Sequence, residues 1–93
     1  MREKDIEAKL RDAVKTQGGV CWKFTSPGTA GVPDRIVLMP NGKMAFVEVK
    51  APGKKPRPLQ KVRHETLKHL GYRVFILDNP SQIGGIIDEI QST

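Results

Sequence analysis

The dipeptide Asn41-Gly42 is the strongest constraint this chain places on its own fold. It separates two runs of strand-forming residues, 35–39 and 43–50. Asn and Gly both accept the left-handed backbone that a tight hairpin turn requires. The two runs are therefore expected to fold back on each other as an antiparallel hairpin. Folding there carries Asp34, which opens the first run, to the far end of the second, where Glu48 and Lys50 stand. Glu48 and Lys50 are two residues apart, so they share one face of a strand. Two carboxylates and one ammonium are thus expected to meet at one end of the hairpin.

Alternation puts Met44, Phe46 and Glu48 on one face of the second strand, with Val47 and Val49 on the other. Glu48 continues an otherwise apolar face. A carboxylate in that position is costly unless it is paired or binds a metal ion.

The rest of the chain supplies the frame. Residues 3–17 have the apolar spacing of an amphipathic helix, through Ile6, Leu10, Ala13 and Val14, and Gly18-Gly19 stop it. Residues 20–25 are rich in β-formers and are expected to be a strand, and residues 26–31 a loop. Residues 51–58 hold three prolines, a glycine and three cations, which makes an irregular basic loop. Pro58 suits the first turn of a second helix over 58–70, whose inner face is expected to be Leu59, Val62, Thr66, Leu67 and Leu70. Residues 72–77 are a last strand. A third helix follows, capped by Asp78 or Ser81, with Ile83, Ile86, Ile87 and Ile90 on its apolar side. The order α-β-β-β-α-β-α implies an α/β domain with helices packed on a sheet. A length of 93 residues suits a single domain spanning 1–93.

Composition narrows the class of function. No apolar run is long enough to span a bilayer, and the charged start MREKDIEAKL is unlike a secretory leader, so no membrane partner and a cytoplasmic location are expected. The single cysteine, Cys21, excludes an in-chain disulfide framework and a Cys-rich zinc site, and is expected to be a small buried strand residue. The net charge is +6, and residues 50–73 carry eight Lys and Arg against Glu65 alone. Such a stretch suits a polyanionic partner. Lys54, Lys55, Arg57 and Lys61 are candidates for contacts to a nucleic-acid backbone, each steepening the log–log salt dependence of binding by about 0.9.

Two carboxylates and a lysine beside a basic loop suit metal-assisted phosphodiester hydrolysis. Mg²⁺ takes a few hard oxygen ligands and keeps several waters. The backbone carbonyl of Val49, between Glu48 and Lys50, is a candidate further ligand. His64 and His69 have no recognised metal-ligand spacing and are expected at the surface.

Four segments carry a family resemblance: Lys23-Phe24 with Ser26-Pro27-Gly28; Gly31-Val32-Pro33-Asp34-Arg35; Phe46-Val47-Glu48-Val49-Lys50-Ala51-Pro52-Gly53; and Leu59-Gln60. Together they resemble the PD-(D/E)xK nuclease superfamily, and within it a stand-alone VRR-NUC domain of the bacterial and phage type. The resemblance implies a restriction-endonuclease-like αβββαβ core, with a mixed sheet flanked by helices. It implies a Mg²⁺- or Mn²⁺-dependent DNA endonuclease in which Asp34, Glu48, Lys50 and Gln60 serve catalysis. It also implies a metal ligand on the first helix, where Glu7 is preferred and Glu3, one turn earlier, is the rival. Ser26 lies in a loop expected near the scissile phosphate. Branched DNA is the implied substrate, with four-way (Holliday) junctions foremost; flaps, splayed arms, unselective cutting, RNA, and a fold that binds without cutting remain open. A homodimer is expected from the small size and from Val37, Met39, Met44 and Phe75, which one small core would leave partly uncovered.

Overall fold

A computed structural model describes residues 1–92. Helix α1 (Glu3–Thr16) leads into β1 (Val20–Lys23), β2 (Arg35–Met39) and β3 (Lys43–Val49). Helix α2 (Pro58–His69), β4 (Val74–Leu77) and α3 (Ile83–Gln91) follow. The sheet order is β1-β2-β3-β4. β1, β2 and β3 pair antiparallel, and β4 joins β3 in parallel. A parallel neighbour needs a long crossover, and α2 provides it. The αβββαβ order and the mixed sheet flanked by helices are as the sequence implies.

The hairpin turns where Asn41-Gly42 stand, through the three residues Pro40–Gly42. Asn41 has φ 67° and Gly42 φ 73°, both in the left-handed region. Met39 pairs with Lys43, and Arg35 with Val47. That register sets Asp34 beside the end of β3.

The sheet has one heavily covered face. Cys21, Val37, Met39, Ala45, Val47, Val49 and Leu77 lie under Ile6, Leu10 and Val14 of α1 and Ile83, Ile86, Ile87 and Ile90 of α3. Ile6, Leu10 and Val14 repeat every four residues, so one stripe of α1 meets the strands. Gly18 ends that helix with φ +87°, and Gly19 passes close to β2. A Cβ at Gly19 would meet the Leu38 carbonyl oxygen and Met39 Sδ at 2.5 Å each. Gly19→Ala is therefore expected to lower stability by about 1–3 kcal/mol through overpacking, read as a lower midpoint in urea unfolding.

The other face is only partly covered. Val20 and Trp22 are exposed there, in register with Leu38 and Ile36. Helix α2 lies over the β3–β4 side but not with the face its apolar spacing predicts. Leu59, Val62 and Leu70 point to solvent, Thr66 is exposed, Leu67 is half-buried, and His64 is the buried residue of the helix. The inward stripe is Gln60, Arg63, His64 and Leu67. It has the same helical period, rotated by about one residue. Polar bonds decide the rotation: Gln60 bonds to buried Glu48, and Arg63 Nε donates to the Ala30 carbonyl at 2.8 Å.

Three smaller expectations are also corrected. Asn79, not Asp78 or Ser81, caps the last helical segment: its side chain accepts from Ser81 N at 2.9 Å, ahead of a 3₁₀ turn that runs into α3. The first and last strands are shorter than expected, at Val20–Lys23 and Val74–Leu77. Of the residues expected to lie uncovered, Val37 and Met39 are in the core, and Met44 and Phe75 are half-buried. Cys21 is buried, as expected.

Candidate active site

Asp34 enters just before β2. Its Oδ2 accepts from the Val49 backbone N–H at 3.1 Å, which ties the start of β2 to the end of β3. Gly31, three residues earlier, is needed where the loop passes close to α2. It has φ +87°, and a Cβ there would lie 3.0 Å from the Leu59 carbonyl oxygen in the first turn of α2.

Glu48 is the centre of the site. Its side chain is fully buried. Oε2 meets Lys50 Nζ at 3.1 Å and accepts from Gln60 Nε2 at 3.0 Å. Oε1 is buried without a hydrogen-bond partner, and His64 Nε2 faces it at 3.7 Å, likewise buried and unpartnered. Burial, reinforced by the neighbouring Asp34 carboxylate, pushes the Glu48 acid up to about 7, although the Lys50 ammonium opposes the shift. Burial, and then the Lys68 and Lys50 charges, pull His64 below its ordinary value.

Helix α1 brings its first two turns to the same place. One carboxylate oxygen each from Glu3, Glu7 and Asp34 lie within 4.8 Å of one another. Glu7 Oε2 also pairs with Arg35 Nη2 at 2.8 Å. Glu3 is the more exposed, and burial and the Asp34 charge raise its acid above the ordinary value. Both candidate acids of α1 therefore stand beside Asp34.

These residues fit a hard divalent cation. All the acidic donors are carboxylate oxygens, the type Mg²⁺ and Mn²⁺ take. One of them, Glu48 Oε1, is buried with no donor, and like charges crowd around Asp34. A cation relieves both costs.

Other sequence candidates fall outside this group. Ser26 is half-buried, and its carbonyl accepts from Thr29 N at 3.1 Å; no hydrogen bond among the described residues joins its side chain to the acids. Lys54, Lys55, Arg57 and Lys61 are exposed. Arg57 is linked to the centre through its backbone N–H, which donates to Gln60 Oε1 at 2.8 Å. His69 is at the surface, but His64 is not; that expectation is corrected, because α2 turns His64 toward Glu48. The missed signal was spacing: His64 follows Gln60 by four residues, on the same helix face. Arg35 was missed too, at 9% exposure and paired with Glu7.

An aspartate at the mouth of one hairpin strand and Glu-x-Lys at the end of the next, on a mixed sheet flanked by helices, define a PD-(D/E)xK nuclease. The VRR-NUC domain family model matches residues 1–79. A solved structure described as "VRR_NUC domain" superposes with a TM-score of 0.86 at 30% identity, over 92% of this chain and 94% of that one. "Putative nuclease p44" of Acyrthosiphon pisum secondary endosymbiont phage 1 is 52% identical over 79 residues, 85% of each chain. The chain belongs to the VRR-NUC domain family of nucleases. Among the described residues, no helix is long and apolar enough to cross a membrane.

Proposed function

We propose that the chain, over its whole span 1–93, is a Mg²⁺- or Mn²⁺-dependent endodeoxyribonuclease that cuts branched DNA, with four-way junctions as its target. The carrying observation is the position of Asp34. It stands between the acids of α1 on one side and the Glu48–Lys50 pair on the other. Asp34, Glu48, the Val49 carbonyl and one α1 acid, Glu7 or its rival Glu3, would hold the ion. A bound divalent cation supplies charge neutralisation at the phosphate and a water of lowered pKa. Lys50 orients or deprotonates the attacking water and faces the developing charge. Gln60 holds Glu48 and orients a water or phosphate. Attack in line breaks the P–O3′ bond and leaves 3′-hydroxyl and 5′-phosphate ends. Ser26, Lys54, Lys55, Arg57 and Lys61 contact the sugar–phosphate backbone, which confers affinity without reading sequence.

A four-way junction offers two symmetric strands, which a C₂ homodimer matches. Exposed apolar side chains, Trp22, Val20, Leu59, Val62 and Leu70, support a dimer in place of Val37 and Met39, which are in the core. The phage relative supports action in the cytoplasm of a bacterial or phage-infected cell.

The test uses labelled four-way junction, flap, linear duplex and RNA, each with Mg²⁺ and with EDTA. Junction cutting that EDTA abolishes is expected, together with a sedimentation mass about twice the 10.3 kDa chain. Equal rates on linear duplex would remove structure selectivity, and preferred cutting of RNA or flaps would change the substrate. Binding without cutting would make the chain a binding module. A monomer alone at micromolar concentration would remove the dimer.

A further inference from the structure

Helix α2 sacrifices an apolar contact to bring two polar side chains onto one carboxylate. Leu59, Val62 and Leu70 are left in solvent, at 44%, 54% and 68% exposure, while His64 is buried to 4%. Burying leucine and valine would be the favourable choice for a helix on a sheet. Burying an imidazole next to a carboxylate, with neither facing atom hydrogen-bonded, is unfavourable on its own. An arrangement that is poor for the resting fold points to a demand made elsewhere in the working cycle.

The two grips are complementary. Gln60 and His64 are four residues apart and lie on the same face of α2. Gln60 donates to Oε2 of Glu48, which also meets Lys50. His64 faces the other oxygen, Oε1, across 3.7 Å. That gap is too long for a hydrogen bond, and a shift of several tenths of an ångström closes it. Bonds of this kind in resting sites commonly tighten only when the site is loaded.

We propose that His64 is a positioning residue, whose Nε2–H donates to Glu48 Oε1 and, with Gln60 on Oε2, sets the plane of the Glu48 carboxylate for metal binding. The inference deepens the metal-dependent reading above and rests on it. Outer partners that orient a ligating carboxylate commonly affect metal affinity or activity by about 10–100-fold.

The test compares wild type with His64→Leu, which cannot donate, and His64→Gln, which can. Mn²⁺ affinity is measured by calorimetry without DNA, alongside junction affinity in Ca²⁺ and cutting rate in Mn²⁺. His64→Leu is expected to bind Mn²⁺ about 10–100-fold more weakly, with junction affinity unchanged, and His64→Gln to recover most of the loss. Equal Mn²⁺ affinity in His64→Leu and wild type overturns the inference. An equal loss in both variants also overturns it, because it marks a packing role only. Should His64→Leu fail to fold, ¹⁵N spectra of the wild-type imidazole decide: a proton on Nε2 is expected, and a neutral ring protonated only on Nδ1 overturns the inference. A wild type that neither binds Mn²⁺ nor cuts brings down the nuclease reading itself, an outcome distinct from failure of the His64 variants alone.

Discussion

Asp34→Asn and Lys50→Met are each expected to cut DNA about 10²–10⁴-fold more slowly than the wild type, for different reasons. Asn at 34 keeps an oxygen for the Val49 N–H, so the join between β2 and β3 survives. It removes the charge that faces Glu3, Glu7 and Glu48. The loss in Asp34→Asn is therefore expected as weakened Mn²⁺ binding, with part of the rate recovered at high metal concentration. Met at 50 keeps the apolar stem but lacks the ammonium that meets Glu48 Oε2 at 3.1 Å. Its loss is expected in kcat, and added metal does not recover it. Rates equal to wild type in either variant would remove that residue from the reaction. Quantifying cutting and Mn²⁺ affinity on the same preparations separates the two roles.

The second large effect is on stability. Glu48 has its acid pushed up to about 7 from an ordinary value of 4.5. Between those values the folded protein holds a proton that the unfolded chain releases. Stability is therefore fully present below about pH 4.5 and falls as pH rises toward 7. A shift of that size corresponds to about 3 kcal/mol at most. Urea unfolding in EDTA is expected to show the wild type losing stability from pH 5 to pH 8 relative to Glu48→Gln, which cannot ionise. Parallel pH profiles would refute a raised Glu48. Mg²⁺ held as proposed would bind the ionised carboxylate and compete with the proton. Its stabilising effect is therefore expected to be larger at pH 8 than at pH 5.

The stability effect comes from a strand residue placed against its apparent pattern. Glu48 follows Met44 and Phe46 on one face of β3, and Phe46 is held between Phe24 and Tyr72 at ring separations of 5.4 Å and 6.0 Å. A residue of ordinary function in that row would be apolar. The conflict is legible in the sequence, because period-2 alternation needs only the order of residues.

What the order of residues determined by itself was whatever depends on short-range geometry. Asn41-Gly42 and the two flanking runs set a hairpin, and folding there brought Asp34 toward Glu48 and Lys50, while the register, Met39 against Lys43 across a three-residue turn, came with the folded structure. The stripe Ile6, Leu10, Val14 placed α1 on the sheet for the same reason. Only the tertiary structure decided how α2 sits. Its apolar spacing allowed one rotation, and the bonds of Gln60 and Arg63 imposed another. Periodicity ranks helix faces by hydrophobic transfer alone, whereas a buried carboxylate that needs donors can outweigh three exposed aliphatic side chains. That competition involves Glu48, twelve residues from Gln60 and on another element, so it exists only once the chain is folded. The placement of both Glu3 and Glu7 beside Asp34, and of His64 under Glu48, rests on the same long-range contacts.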